Sequence, residues 1–413
     1  YSSKGGNMAN KNRVSVFDAC SNFTAANDAR NAGLYPFFSP ISQSSGSSVY
    51  IHGKKFLMFG SNNYLGLAHD KRMAKAALDA TTLHGTSCSG SRFMNGTLDM
   101  HEELEDRLAS FVHKEAALCF STGYQTNLGS ISALLQRGDH VLVDKADHAS
   151  IMDGIFLAMG TKKGINLHRY KHNDMVELET LLKKIPLQEN KLIVVDGVFS
   201  MEGDIAPLMT IRTLCDTYNA GLYLDEAHAL GVIGENGRGS GEHFGNQYDA
   251  ADVVMCTFSK SFGSLGGFVA GDADVIDDIK HVARPLMFSA SMPPANIASA
   301  MKALDIIEED NHLVKALQTN ATLLKEGLAS FNFNIGTSET AIVPIIIGDN
   351  DKTFMLYKSI FEKGIYVNPV VSPAVPPSRS LLRTSCMAIH TPDEISYAVE
   401  VIAKEARKLG IIG

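Results

Sequence analysis

The chain has 413 residues, 45% of them hydrophobic and 20% charged, with a mean hydropathy near zero; this is the composition of a globular protein with length for two or three domains and a large core. A formal net charge of -8 excludes nucleic acid as a first-choice partner, because a phosphate backbone calls for a basic face. No apolar run reaches the roughly eighteen residues needed to span a bilayer, and the six cysteines are scattered without a C-x-x-C pair, so they read as reduced core residues of a cytoplasmic protein.

Tyr1 to Asn7 are small and polar and read as an expression remnant ahead of a native start at Met8. Residues 1–60 are expected to form an N-terminal arm, with a helix over Phe17 to Asn31, followed by a hairpin from Val49 to Phe59 that turns at His52-Gly-Lys-Lys. The hairpin leads to Gly60-Ser-Asn-Asn-Tyr-Leu-Gly, where Asn62 either hydrogen-bonds a ligand carboxylate or caps the next turn. A helix over Lys71 to Leu83, a glycine- and hydroxyl-rich loop over 85–96 and a second helix from Leu98 to Val112 come next.

From Ala116 onward strands alternate with helices. Ala116 to Phe120 predicts a buried strand that runs into Ser121-Thr-Gly-Tyr-Gln; hydroxyls and free N–H groups at a helix start either bind phosphate or simply cap the helix. Val141 to Asp144 delivers His148, Leu192 to Phe199 delivers Ser200, and Leu222 to Leu224 delivers Asp225 with His228 three residues on. Val253 to Phe258 is an unbroken apolar run that places Lys260 just past its end, among Thr257, Ser259, Ser261 and glycines at 263, 266 and 267 that let the backbone come close to something bulky. Alternation of this kind predicts an α/β fold around a mainly parallel sheet, over 61–293, whose strand ends meet at one pocket. A smaller α+β domain over 294–413 is expected to follow, in which Arg383, flanked by apolar residues, waits for an anion: a substrate carboxylate or a structural acid. A lysine for a Schiff base, with an aspartate to keep a pyridine nitrogen protonated, is what a protein supplies to pyridoxal phosphate. Signatures of dinucleotide, nucleoside triphosphate, zinc-hydrolase and serine-hydrolase sites are missing.

Taken together, Ser61-Asn-Asn-Tyr-Leu-Gly-Leu, Gly90-Ser-Arg-Phe-Met-Asn-Gly-Thr-Leu, Asp147-His-Ala-Ser, Asp225-Glu-Ala-His-Ala-Leu-Gly-Val and Thr257-Phe-Ser-Lys resemble the α-oxoamine synthases, a family of fold-type I (aspartate aminotransferase-like) pyridoxal phosphate enzymes. The resemblance implies that Lys260 carries the cofactor, that Asp225 pairs with its ring nitrogen, that His228 bonds its phenolic oxygen and that His148 stacks on the ring. It further implies that Thr122, Gly123, Tyr124, Ser200, Thr257 and Ser289 complete the cofactor site, Ser289 or Ser291 coming from the second subunit of a homodimer, and that Asn62 and Arg383 grip the amino-acid carboxylate. The tracts that begin at Asp196, Thr257 and Asn368 are most similar to the branch that joins L-serine to a long-chain acyl-CoA; glycine or alanine with a shorter acyl thioester is the rival. A lipid product leaves peripheral contact with the inner membrane open. Two departures stand out: Val371 where some relatives carry a further arginine, and Ser87 where glycine is common.

Overall fold

The computed structural model describes residues 15–372 and 374–413, so the expected start at Met8 lies outside the described residues. The chain separates into two units, 1–40 and 41–413. In the first, the helix expected over 17–31 is instead two pieces, Asp18–Ser21 and Ala25–Asn31. Neither is capped by a side chain and the second buries no residue, so local propensity alone would have to carry a continuous helix, and Asn22 and Thr24 disfavour one.

In the second unit the predicted hairpin forms β2 (Ser48–Ile51) and β3 (Lys54–Met58), with β1 (Gln43–Ser45) added outside β2. A seven-stranded sheet follows: β4 (Ala116–Phe120), β5 (His140–Asp144), β6 (Asn166–Tyr170), β7 (Lys191–Asp196), β8 (Gly221–Asp225), β9 (Val253–Thr257) and β10 (Gly267–Gly271), in the order β4-β10-β9-β8-β7-β5-β6. Strands β9, β8, β7, β5 and β6 pair in parallel, whereas β10 runs antiparallel between β4 and β9. A third sheet, β11 (Ile342–Ile346), β14 (Leu381–Ser385) and β13 (Asn368–Val370), is antiparallel, and β12 (Ile365–Tyr366) instead crosses to pair in parallel with β3.

The unbroken apolar runs of β5, β7, β8 and β9 follow from burial on both faces. Val141, Val143, Val194, Tyr223 and Met255 pack on one side against Ile131, Ile151 and Ile155 of the helices Gly123–Leu134 and Ala149–Thr161. Their alternates Leu142, Ile193, Val195, Leu222, Leu224 and Val254 pack on the other, against Leu178, Leu182, Ile211 and Cys215 of the helices Met175–Leu182 and Leu208–Tyr218. Each large apolar side chain so enclosed contributes roughly 1.5–3 kcal/mol, which makes the sheet a rigid base for whatever projects from its edge. Because β10 reverses direction between two like-directed neighbours, β4, β5, β7, β8 and β9 all end at the same edge.

The strand β10 corrects one expectation. The glycines at 263, 266 and 267 make room for the chain itself, not for a bulky ligand. Gly263 has φ +57°, and a Cβ there would lie 2.6 Å from the Ala68 nitrogen; at Gly267, which opens β10, it would lie 2.8 Å from the Cys256 carbonyl and 2.9 Å from the Gly123 Cα. What comes close is the protein's own backbone at Gly263 and Gly267 and the Met292 side chain at Gly266, 2.5 Å from where a Cβ would stand, locking the lysine loop onto its neighbours.

Candidate active site

At that common edge Thr122, Gly123, Tyr124, His148, Asp225, His228, Thr257 and Lys260 line one cavity of about 250 Å³, together with Asn127, Ser150 and Asp196. Thr122 caps the helix Gly123–Leu134, its hydroxyl accepting from the Gln125 N–H at 3.1 Å. The N–H groups of Gly123 and Tyr124, in the first turn, have no partner within the helix and form a natural anion cradle. Gly123 lies so close to Thr257 that a Cβ on it would stand 2.5 Å from the threonine side chain, which presses the Thr257 and Ser259 hydroxyls, 2.9 Å apart, against the same helix start. The Tyr124 hydroxyl is turned outward to Asp153.

Asp225 ends β8 and is buried. Its Oδ1 accepts from the Ala227 N–H at 2.9 Å and its Oδ2 from Asn127 Nδ2 at 2.7 Å. Asn127 is itself locked: its other contacts are Ser150 Oγ at 2.9 Å and, at its carbonyl, the Tyr223 hydroxyl at 2.9 Å. Ser150 Oγ lies 2.7 Å from His148 Nδ1, which also accepts from the Ser150 N–H at 3.2 Å, so the proton of the neutral ring sits on Nε2. Burial, and less strongly the Lys260 charge, hold His148 below its ordinary value against the pull of Asp225. Asp196 ends β7 in register with Asp225; burial and then the Asp225 and Asp147 charges push its carboxyl well above the usual range. Lys260 sits in a turn closed by Gly263 N–H to the Lys260 carbonyl at 3.0 Å, and burial lowers its ammonium pKa although Asp225 and Asp196 oppose the shift.

A second tier lies behind His228. The Tyr64 hydroxyl accepts from an Arg383 nitrogen at 3.3 Å and has two acceptors in reach, His228 Nδ1 at 2.7 Å and Asn62 Oδ1 at 3.3 Å; the shorter contact takes its proton, and His228 keeps its own on Nε2. Burial, with Lys260 and Arg383 adding to it, lowers His228 well below the ordinary imidazole value. Arg383, in the middle of β14, donates to Asn62 Oδ1 at 2.9 Å and to the Ser200 carbonyl at 2.6 Å, and has no carboxylate partner among the described residues. Asn62, Ser200 and Arg383 therefore form one group behind the cavity, joined to it through Tyr64. Ser289 does not line the cavity; its hydroxyl accepts from Gln125 Nε2 at 3.0 Å. Ser291 is committed to its own chain, donating to the Gly90 and Gly96 carbonyls.

Reading residues in order missed Asn127, Ser150, Asp196 and Tyr64 as parts of the site. Asp196 carried the signal that marked Asp225, an acid closing an apolar strand. Asn127 lies four positions after Gly123 on one helix face. A family model for class I and II aminotransferases matches residues 54–402.

The chain belongs to this family. The serine palmitoyltransferase of Sphingobacterium spiritivorum is 50% identical over 384 residues, covering 93% of this chain and 95% of that one. The 8-amino-7-oxononanoate synthase of Thermoanaerobacter pseudethanolicus is 39% identical over 386 residues, 93% and 96% of the two chains. The solved serine palmitoyltransferase of Sphingomonas wittichii superposes with a TM-score of 0.92 at 33% identity, covering 97% of this chain and all of that one, and a serine palmitoyltransferase solved with its PLP internal aldimine matches equally well. This aminotransferase-family chain is thus an α-oxoamine synthase of fold type I, an acyl-transferring enzyme whose cofactor is pyridoxal phosphate. The residues fit that group: a lysine with a depressed pKa, an acid fixed by two donors and an anion cradle face one cavity.

Proposed function

We propose that this α-oxoamine synthase is a serine palmitoyltransferase, which joins L-serine to palmitoyl-CoA or a similar long-chain acyl-CoA and releases coenzyme A, carbon dioxide and 3-oxosphinganine, the entry to sphingolipid synthesis. Two observations carry the reading: curated relatives named serine palmitoyltransferase are 44% to 50% identical, against 39% to 42% for those named 8-amino-7-oxononanoate synthase, and solved serine palmitoyltransferases, though only 33% identical, superpose with a TM-score of 0.92, against 0.73 for an 8-amino-7-oxononanoate synthase.

Pyridoxal phosphate supplies, when bound, an electron-withdrawing ring that makes the α-proton of an attached amino acid acidic. In this reading Lys260 anchors the group by its amine and then takes the α-proton from serine; its lowered pKa keeps more of the amine neutral for both tasks. Asp225, held by Asn127 and the Ala227 N–H, keeps the ring nitrogen protonated. His228, with its proton on Nε2, would donate to the cofactor's phenolic oxygen, and His148, also protonated on Nε2, would stack on the ring and orient the serine carboxylate. Thr122, Gly123, Tyr124 and Thr257 would hold the phosphate; Ser200, behind the cavity, acts through its carbonyl on Arg383, and Ser289, outside the cavity of its own chain, would complete the cofactor site from a second subunit. Arg383 and Asn62 take the serine carboxylate, for which the arginine, lacking an acid partner, is poised. The new bond joins the serine α-carbon to the acyl carbon as the thiolate leaves, and the carboxylate departs as carbon dioxide before the α-carbon is reprotonated.

Exposed apolar residues around the cavity support a homodimer: Phe93, Met94, Tyr124, Leu265 and Phe288 are between 45% and 77% exposed. Their segments touch through Ser121 to the Ala290 carbonyl and Ser291 to Gly90 and Gly96, and so large an apolar rim calls for cover. Among the described residues no helix is long and apolar enough to cross a membrane, and all six cysteines are free; we place the enzyme in the cytoplasm, with contact to the inner membrane limited to its surface. The test is direct: titrate the purified holoenzyme with L-serine, glycine and L-alanine while following the visible absorbance, then add palmitoyl-CoA and measure free thiol. Serine should perturb the spectrum at the lowest concentration and release thiol; thiol release with alanine or glycine but not serine would sink the assignment.

A further inference from the structure

We infer that His172, which does not line the cavity, is a positioning residue for amino-acid binding, acting through the turn that aims Arg383. The inference rests on the proposed role of Arg383 as the carboxylate anchor. His172 follows β6 and bridges two carboxylates: Nδ1 lies 3.2 Å from Asp144 Oδ1 at the end of β5, and Nε2 lies 2.9 Å from Asp204 Oδ2. Asp204 closes the turn that leaves β7, its carbonyl accepting from the Phe199 N–H at 3.1 Å, while the Gly203 N–H donates to the Phe199 carbonyl at 2.9 Å. The buried Phe199 ring meets the His172 ring edge-on, 4.4 Å between centroids. Both ends of the turn are therefore held by one imidazole. Between them lies Ser200, whose carbonyl takes Arg383 Nε at 2.6 Å. The far side of the turn is clamped to the approach of β11, where the Glu339 and Thr340 N–H groups and the Thr340 hydroxyl all donate to the Gly203 carbonyl.

The charges facing His172 come from three directions: Asp144, Asp204 and, more distantly, Glu202, which itself pairs loosely with Arg379 at 3.7 Å. Burial alone would discharge the ring, but the two hydrogen-bonded carboxylates win and hold it cationic, at about 10. A neutral amide at this position can bond one aspartate but cannot balance both. The turn would loosen, and with it the arginine's aim, while the lysine, Asp225 and the phosphate cradle, held by other partners, would stay in place.

The experiment compares wild type with His172→Gln and Asp204→Asn. We expect the serine dissociation constant, read from the cofactor absorbance, and the serine KM to rise about tenfold, with kcat at saturating serine and the KM for palmitoyl-CoA within about threefold. In an Arg383→Lys background the same substitutions should add little, because coupled residues are not additive. Unchanged serine binding in both variants overturns the inference, as does full additivity with Arg383→Lys or a drop in melting temperature with no change in serine affinity. If wild type takes glycine or alanine instead of serine, the substrate reading fails alone, and the comparison is made with that amino acid. A wild type that binds no α-amino acid overturns both.

Discussion

Two histidines at one edge of the seven-stranded sheet, one buried and one half-buried, have opposite fates. His228 lies beside Lys260 and Arg383, and its pKa falls well below the ordinary value; His172 lies between Asp144 and Asp204, and its pKa rises to about 10. Burial pushes both rings the same way, so the neighbouring charges decide the outcome. The two histidines mark two regions. The first, around Lys260 and Arg383, is where the proposed function puts cofactor and substrate, with the acids Asp225 and Asp196 lining the same cavity as the lysine. In the second, Asp144 and Asp204 close around a ring held as an internal cation. In that reading chemistry belongs to the first region, and the second holds it in shape.

The comparison breaks first at Lys260. Lys260→Ala should abolish thiol release, by at least ~10³-fold, and the protein should no longer be tagged by borohydride at that position; fold, followed by circular dichroism, should be intact. Activity within tenfold of wild type would mean that the Lys260 side is not where the chemistry occurs. Next comes the border between the regions. Asn127→Ala removes the donor that fixes Asp225 Oδ2 and orients Ser150, and turnover should fall roughly 10²-fold with a shift in the visible cofactor band. A mutant with an unaltered spectrum would show that Asp225 is held well enough without it.

These two residues also show what a linear reading can see. Lys260, Asp225, His148 and His228 were legible because each follows an apolar strand directly, and strand ends converge in a parallel sheet. Asn127 and Tyr64 were not, because their partners are 98 and 164 residues away in the chain and only the folded register brings them together. The helices expected over Lys71 to Leu83 and Leu98 to Val112 form within a residue of those bounds, as Lys71–His84 and Asp99–Phe111. The strand β10 was hidden: its first glycine, together with those of the loop before it, read as an approach to something bulky, when what comes close is the protein's own backbone and packed side chains. His172 carried no sequence signal at all, since neither of its acids is within twenty-five positions of it.

On the acidic side the expected effect is on stability and depends on pH. The His172 pKa is raised on folding, from an ordinary value of 6.5 to about 10. Its charged form is therefore favoured by the folded state; the stabilisation is fully present below about pH 6.5, shrinks as pH rises and is gone above about 10. His172→Gln should be less stable than wild type by ~2 kcal/mol near neutral pH, a buried-pair value reduced for the partial exposure of the ring. The gap, measured by urea denaturation, should narrow steadily toward pH 10. A gap that is constant or widens with pH would mean the ring is not held as a cation.

The smallest effect is expected where the two regions communicate. Tyr64 hydrogen-bonds both His228 and Arg383, and it is fully buried. Tyr64→Phe keeps the ring and its packing but removes the hydroxyl, leaving His228 Nδ1 without a donor and Arg383 without one of its acceptors. Losing one such bond costs ~1 kcal/mol, which is about a fivefold change in an equilibrium constant. Because the proposed function gives His228 to the cofactor and Arg383 to the carboxylate, the loss should divide: a small shift in the cofactor band and a few-fold rise in serine KM, with kcat nearly constant. If only the spectrum moved, Arg383 would be aimed by Ser200 and Asn62 alone, and the link between the cofactor tier and the carboxylate tier would have to run through the turn at Phe199–Asp204 instead.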